Sequence, residues 1–291
     1  MNIFSIRDIE NLTGIKAHTL RIWEKRYGII IPPTAPGKHR IYDNNDLKHI
    51  LRISSLYHKG LKISRIAEMS IEEIQKNTLS ADPRSNFEAF INNLLEYTVE
   101  NNETDFKRLM SELRETMGDI NMYLHVVFPF LSRIGEFWLN DKIAPVQEHF
   151  CSNLIRNELI LSIDRVHLNR NQKRTKVILF SPKNEHHEIP LLFCNLMLKS
   201  RNIDTLYLGV DTHESVLSSV VNKTKPDWLL SYLITNFTDA DINEYVKNIS
   251  DSFSQHNIIL AGPGFKNAVA VNEKVRITRS MNELVHFCLS L

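Results

Sequence analysis

Three groups of side chains in this sequence have the types and spacing to do chemistry. In the segment FSPKNEHHEIP, Glu185 precedes His187 by two positions just after the apolar run VILF. Imidazole titrates near neutral pH and ligates metals, which makes a histidine at the end of a strand a candidate ligand. Upstream, in a stretch of helical periodicity, Trp138 is followed after nine intervening residues by the pair Glu148-His149. At the N-terminus, AHTLRIWEKRYG and PPTAPGKHRIYD hold the cationic and hydrogen-bonding residues His18, Thr19, Arg21, Lys25, Tyr27, Lys38 and Arg40. Each group also has a plain structural reading. A lone histidine is usually structural, a tryptophan at a helix end is usually core, and most Lys and Arg are simply solvated.

The elements that must position Glu185 and His187 alternate strand and helix. VILF leads to IPLLFCNLMLKS, DTLYLG to SVLSSVVNK, DWLLSYL to DADINEYVKNIS, and NIILAG and KVRIT precede the last helix, NELVHFCLSL. Such alternation predicts a parallel sheet with helices on both faces, a Rossmann-like or flavodoxin-like domain over residues 174–291. Ligands in these sheets bind beyond the carboxyl ends of the strands. His187, Ser231 with Leu233, and Gly262 with Gly264 all fall at such ends.

The N-terminal residues read as a winged helix-turn-helix over 1–75. Ser5 caps a short helix with Ile6, Ile9 and Leu12 on one face, Gly14 breaks it, and a second helix starts near Ala17 with Leu20 and Trp23 turned to the core. PPTAPGKHRIYD predicts a β-hairpin wing, Asp46 a cap for a third helix, and ISRIAEMS a fourth. The stretch IEEIQKNTLSADPRSN lacks heptads and contains Pro83, so it reads as a linker. From Phe87 to about Val166, apolar stripes at helical spacing predict a four-helix bundle spanning 86–166: Phe87, Phe90, Ile91, Leu94 and Leu95; then Phe106, Leu109, Met110 and Leu113; then Val126, Val127, Phe130, Leu131 and Ile134; then Leu154, Ile155 and Leu159.

Composition bounds the function. At 291 residues and 43% hydrophobic content, the chain can bury two or three cores, and it shows neither a membrane span nor a secretory leader. A cytoplasmic protein is expected. Cys151, Cys194 and Cys288 are widely spaced, which favours buried reduced thiols over a disulfide framework. Residues 1–75 carry an excess of +4 against +1 for the whole chain, so the remainder stands at −3. The positive charge is concentrated where a polyanion would bind.

LRIWEKRYGIIIP and GKHRIYD resemble the recognition helix, wing entry and wing tip of the MerR family of transcription regulators, over roughly the first quarter of the chain. This resemblance implies binding of double-stranded operator DNA, with His18, Thr19, Arg21, Tyr27, Lys38 and Arg40 as contacts. The remainder resembles the cobalamin-binding region of CarH-type photoreceptors and corrinoid proteins, whose fingerprint is Asp/Glu-x-His-x-x-Gly, then Ser-x-Leu, then Gly-Gly or Gly-x-Gly. Glu185 and His187 match the first element, Ser231 and Leu233 the second, and Gly262 and Gly264 the third, but Pro190 stands where the first element ends in glycine. Proline fixes φ and removes a donor, so the loop under the cofactor is expected to differ there.

What the CarH-type resemblance implies is specific. His187 ligates the cobalt of adenosylcobalamin, with Glu185 accepting its other ring proton. Ser231, Leu233 and the glycines surround the nucleotide tail, while Trp138, Glu148 and His149 lie over the upper face, His149 becoming an upper ligand after photolysis. The holo form assembles as a homo-oligomer, a dimer or tetramer, that binds DNA in the dark and releases it in light. The expected protein is thus a non-enzymatic repressor. Two other readings stand beside it: a MerR-type regulator working without cobalamin through a protein partner or constitutive dimerisation, and a corrinoid-dependent methyl-transfer protein.

Overall fold

The computed structural model describes residues 4–29, 40–78, 87–139, 144–167, 175–234 and 241–291. Contacts divide the chain into two compact units, Met1–Leu154 and Ile155–Leu291. The winged helix and the first three helices of the bundle therefore fall in one unit, and the fourth helix crosses the boundary.

In the first unit, α1 (Ile6–Thr13) begins with a reciprocal cap: the Asp8 amide donates to Ser5 Oγ at 3.3 Å, and the Ser5 amide donates to Asp8 at 2.6 Å. It ends at Gly14, whose φ of 70° is left-handed and so suits glycine. α2 (Ala17–Tyr27) follows after the turn, with Leu20 and Trp23 buried as expected. Tyr42 pairs antiparallel with Phe4, at 2.8 and 3.0 Å. The rest of the expected wing, Lys38 included, lies outside the described residues.

α3 (Asn44–His58) corrects one expectation. Its cap is Asp43, which accepts from the Asn45 and Asp46 amides, while Asp46 sits one turn in and returns a carboxylate to the Asp43 amide. Either acid matches the signal, and the one in extended backbone takes the cap. After α4 (Ile63–Ile66), residues expected to be linker form α5 (Ile71–Thr78). The overlooked signal is Ser70 three residues before Glu73, a capping box whose two bonds measure 2.8 and 3.2 Å, followed by the buried Ile74. Pro83 lies outside the described residues.

The helical stretch resolves into α6 (Phe87–Glu100), α7 (Glu103–Met122), a π-helical turn at Tyr123–Val127, α8 (Phe128–Leu139) and α9 (Pro145–Asp164). The expected stripes are buried except at two places: Leu131 is half-buried, and Phe87, at the first position of α6, is exposed and stacks on His125 at 4.8 Å. α6 buries polar residues as well as apolar ones, because α3 covers it on one side and the bundle on the other. Glu96 and the Asn92 amide nitrogen have partners, while Asn92 Oδ1 has none among the described residues. Glu96 receives Arg52 at 2.6 and 2.8 Å, and Asn92 donates to Ser54, which donates to the Thr13 carbonyl. From α8, Arg133 donates to the Leu12 carbonyl at 3.1 Å and to Glu88 at 2.6 Å, gripping the helix-turn-helix turn directly.

In the second unit, β1 (Lys176–Pro182), β2 (Asp204–Thr212), β3 (Trp228–Tyr232), β4 (Asn257–Ala261) and β5 (Val275–Thr278) form one parallel sheet in the order β2-β1-β3-β4-β5. This is the doubly wound order in which the chain reverses direction between β1 and β3. α10 (Ile189–Ser200), α11 (Glu214–Thr224), α12 (Ile242–Ser252) and α13 (Met281–Ser290) complete it. Ile178, Phe180, Leu229 and Leu260 form a core with Leu217, Val221, Val246 and Ile249 from α11 and α12. The three cysteines are free and buried, and burial pushes the Cys151 and Cys288 thiols up to about 12.

Candidate functional site: the switch point of the sheet

Glu185 and His187 sit in the loop leaving β1, at the switch point. The Glu185 side chain is 1% exposed and that of His187 is 47% exposed. Glu185 Oε1 receives the His187 amide at 2.8 Å and lies 2.6 Å from His187 Nδ1. Oε2 receives the Ile234 amide, beyond β3, at 2.7 Å. One buried carboxylate thus joins the loops after β1 and β3 and turns the imidazole so that Nδ1 faces the protein. Nε2 is then the nitrogen able to ligate, and the buried acceptor raises its basicity.

The same loop is anchored on its outer side. The Asn184 amide donates to Asp211 Oδ1 at 2.8 Å, a bond that holds the Asp211 carboxyl below its usual range, and the Asp211 amide donates to the Glu185 carbonyl at 3.1 Å. Glu188, next to His187, takes the Arg156 guanidinium on Oε2 and the Tyr207 hydroxyl on Oε1, the latter at 3.0 Å. The Tyr207 phenol is pushed well above its ordinary value, chiefly by burial and then by Glu188.

Pro190 occupies the second position of α10 and is buried. In a first helical turn the missing amide would have no partner and the fixed φ is already helical, so the proline is accommodated where it stands.

Ser231, next to last in β3, is fully buried, and its hydroxyl has no well-formed hydrogen bond among the described residues, although the Tyr245 phenol lies near enough to feel it. Ser181 on β1 and Thr278 on β5 carry buried hydroxyls in the same condition, so three strands end in underused polar groups. Leu233 is buried against the glycines. A Cβ on Gly262, at φ 107°, would lie 2.3 Å from the Leu233 carbonyl oxygen, and one on Gly264 would lie 2.5 Å from Leu233 Cγ. At both glycines the group that approaches closely in this structure is Leu233. Of the six sequence-predicted residues of this unit, Glu185 and His187 form one hydrogen-bonded group, and Leu233, Gly262 and Gly264 form one packed seam beside Ser231.

The remaining candidates belong to the first unit. Glu148 and His149 stand in the first turn of α9, 3.7 Å apart and 34% and 69% exposed. Trp138 lies on the last turn of α8, and its side chain is outside the described residues. On α2, His18 and Arg21 are exposed, with Lys25 one turn further on, while Thr19 and Tyr27 are half-buried, Tyr27 beneath the Arg26 guanidinium at 5.4 Å. Arg40, expected at phosphates, is paired with Glu24 of α2 at 2.7 Å. Sequence reasoning missed Ile22, 52% exposed on the recognition helix. Its spacing of four after His18 and three before Lys25 could have revealed it.

Comparison with known proteins bears most directly on the N-terminal residues. Residues 4–73 match the family described as MerR HTH family regulatory protein. The N-terminal domain is of the MerR type. The whole chain is similar to the HTH-type transcriptional repressor CarH of Myxococcus xanthus, 24% identical over 282 residues that cover 94% of this chain and 93% of that one. It is also similar to the HTH-type transcriptional repressor CarA of the same organism, 28% identical over 226 residues covering 76% and 73% of the two chains. Among solved structures, the Methanosarcina barkeri monomethylamine corrinoid protein superposes with a TM-score of 0.54 at 13% identity, covering 68% of this chain and 95% of that one. At that identity the likeness is one of fold. No helix among the described residues is long and apolar enough to cross a membrane.

Proposed function

We propose that this protein is a DNA-binding transcription repressor whose hold on its operator is gated by a corrinoid, adenosylcobalamin, seated at the switch point of the sheet. The observation that carries this reading is Glu185: a buried carboxylate bonded to His187 Nδ1 and to the loop after β3. A buried acceptor behind an outward imidazole is the arrangement that prepares a metal ligand. The unsatisfied Ser231 hydroxyl suits a polar tail entering the sheet end, and the similarity to CarH and CarA over most of the chain supports the same assignment.

When bound, the corrinoid would supply a cobalt centre and, in the adenosyl form, a light-sensitive cobalt–carbon bond. His187 Nε2 would hold the cobalt, with Glu185 fixing its tautomer. Ser231, Leu233, Gly262 and Gly264 receive the nucleotide tail, which requires the seam between Leu233 and the glycines to part. Trp138, Glu148 and His149 would cover the adenosyl group, and His149 would supply a ligand nitrogen once that group has gone. In the DNA-bound state α2 enters the major groove through His18, Thr19, Arg21 and Tyr27, with Lys38 and Arg40 at the phosphates. The functional division runs 1–75, 86–166 and 174–291, and the working form is a cytoplasmic homo-oligomer, a dimer or tetramer. No enzymatic activity is assigned. Because a ligand moves an equilibrium only through its differential affinity, the corrinoid must bind the DNA-competent arrangement more tightly.

The test is the absorption spectrum of the protein after dark incubation with adenosylcobalamin and removal of excess, recorded before and after green light. Operator binding is measured alongside for wild type and His187→Ala. A retained corrinoid whose spectrum changes irreversibly, with dark DNA affinity lost in His187→Ala, is expected. Unchanged dark affinity and assembly in His187→Ala would sink the gating mechanism, leaving a MerR-type regulator that works without cobalamin. Methyl transfer from a bound methylcorrinoid would point to a corrinoid-dependent methyl carrier instead.

A further inference from the structure

Glu188 is held on both oxygens by groups that play no part in the ligand set assigned above. Tyr207 reaches Oε1 from edge strand β2, and Arg156 reaches Oε2 from α9, 32 residues away in sequence. Glu188 follows His187 directly, and it is also the cap residue of α10, so its backbone position sets both the loop and the helix start. The clamp is half-screened from water: the Arg156 side chain is 44% exposed and that of Glu188 is 20% exposed. Two charge-assisted or phenolic bonds to one carboxylate, from two different elements, leave that carboxylate little freedom. On its other flank the loop is tied by Glu185 to Ile234 and by Asn184 to Asp211.

We infer that Arg156, Glu188 and Tyr207 form a positioning clamp for the cobalt ligand, holding the His187 backbone at the height from which Nε2 reaches the metal, with α9 thereby coupled to the ligand loop. This rests on the corrinoid reading of His187. Arg156 also lies seven residues after His149 on α9, two turns along the same helical face. The helix that carries the upper-face pair therefore carries the grip on the lower-ligand loop. Loss of the clamp leaves the tail residues and His187 in place chemically but lets the loop drift, so that the cofactor binds without a firm protein ligand.

The test uses the full chain, 15N-labelled, with cob(II)alamin as the probe and paramagnetic resonance as the readout. A protein nitrogen on cobalt splits the signal into doublets, whereas the unlabelled benzimidazole of the cofactor gives triplets. Wild type is expected to give doublets. In Arg156→Ala and Glu188→Ala, the doublet fraction falls and corrinoid affinity weakens about 10- to 100-fold, the range seen when groups behind a metal ligand are removed. Arg156→Lys restores part of the doublet, and Tyr207→Phe loses less than Arg156→Ala. Hydrogen exchange of the corrinoid-free variants reports the same clamp independently: amides of residues 183–188 exchange faster while the sheet core is unchanged. Full doublets, wild-type affinity and wild-type exchange in both alanine variants would overturn the clamp with the corrinoid site intact. Triplets or no uptake in wild type would overturn the His187 reading itself, and the clamp with it.

Discussion

Replacing Arg52 by alanine tests the seam that joins α3 to α6. The two side chains are 10% and 6% exposed, and both guanidinium contacts, at 2.6 and 2.8 Å, fall on the same oxygen of Glu96. Removing the cation strands a carboxylate in a nearly dry site. Breaking a buried pair in this way costs about 3–5 kcal/mol, against about 0–1 kcal/mol for a surface pair. Glu96 also gives the loss a pH signature. Burial raises its carboxyl above the ordinary value, with Arg52 pulling against that rise. A carboxyl raised in the folded state binds more protons there than when unfolded, so its contribution is fully present below the unfolded value and is lost as pH rises through the folded one. In Arg52→Ala the opposing cation is gone and the folded value climbs further, so the variant should be most destabilised at pH 7 and approach wild type below the ordinary carboxylate range. The assay is hydrogen exchange of the α3 and α6 amides in the full chain, which reads the opening free energy of that unit without assuming one global transition. Arg52→Met with Glu96→Leu should recover most of the loss, since apolar pairs of similar volume replace buried ions at little cost. An Arg52→Ala loss under about 1 kcal/mol at pH 7, or a loss that does not shrink in acid, would refute the reasoning.

Other outcomes follow from single positions. Gly262→Ala meets both a left-handed φ and a carbonyl 2.3 Å from the new Cβ, so backbone strain alone should cost about 1–3 kcal/mol; thermal unfolding should show it, while Gly135→Ala, inside α8 with open space at its Cβ, should be stabilised by about 0.5–1 kcal/mol. The Lys59 ammonium is lowered to about 8 by burial, so the unfolded chain binds more protons between about pH 8 and the ordinary lysine range, and stability should rise with pH there; an NMR titration midpoint of Lys59 near the ordinary value would contradict this. On the recognition helix, Arg21→Ala should lower the slope of log affinity against log salt by about 1 if Arg21 meets phosphate, and leave the slope intact while relaxing base preference if it reads a base.

The parts of this protein that were legible in its sequence are those that repeat at short range. Five strands, their helices and the Ser5 cap follow from periodicity and from turn residues, and Glu185 and His187 are two residues apart, so their partnership could be suggested from a motif. What was not legible is pairing at long range. Arg52 and Glu96 are 44 residues apart, Arg156 and Glu188 are 32 apart, and Glu185 reaches an amide 49 residues on. No period links such residues, and each reads alone as an ordinary solvated charge. A carboxylate becomes tolerable in a core only when its donors have been assigned, and those donors are known only once the elements are packed. The same limit explains Gly262 and Gly264: the motif flagged them as places of close approach, but the approaching group in the structure is Leu233, the apolar half of the Ser-x-Leu pair. The motif is therefore self-complementary in this protein, its second and third elements filling one another. On the proposed corrinoid reading, a polar tail would have to part them to reach Ser231, so cofactor entry would change the packing at the sheet's own end, and such a change is where the differential contacts needed for gating would arise.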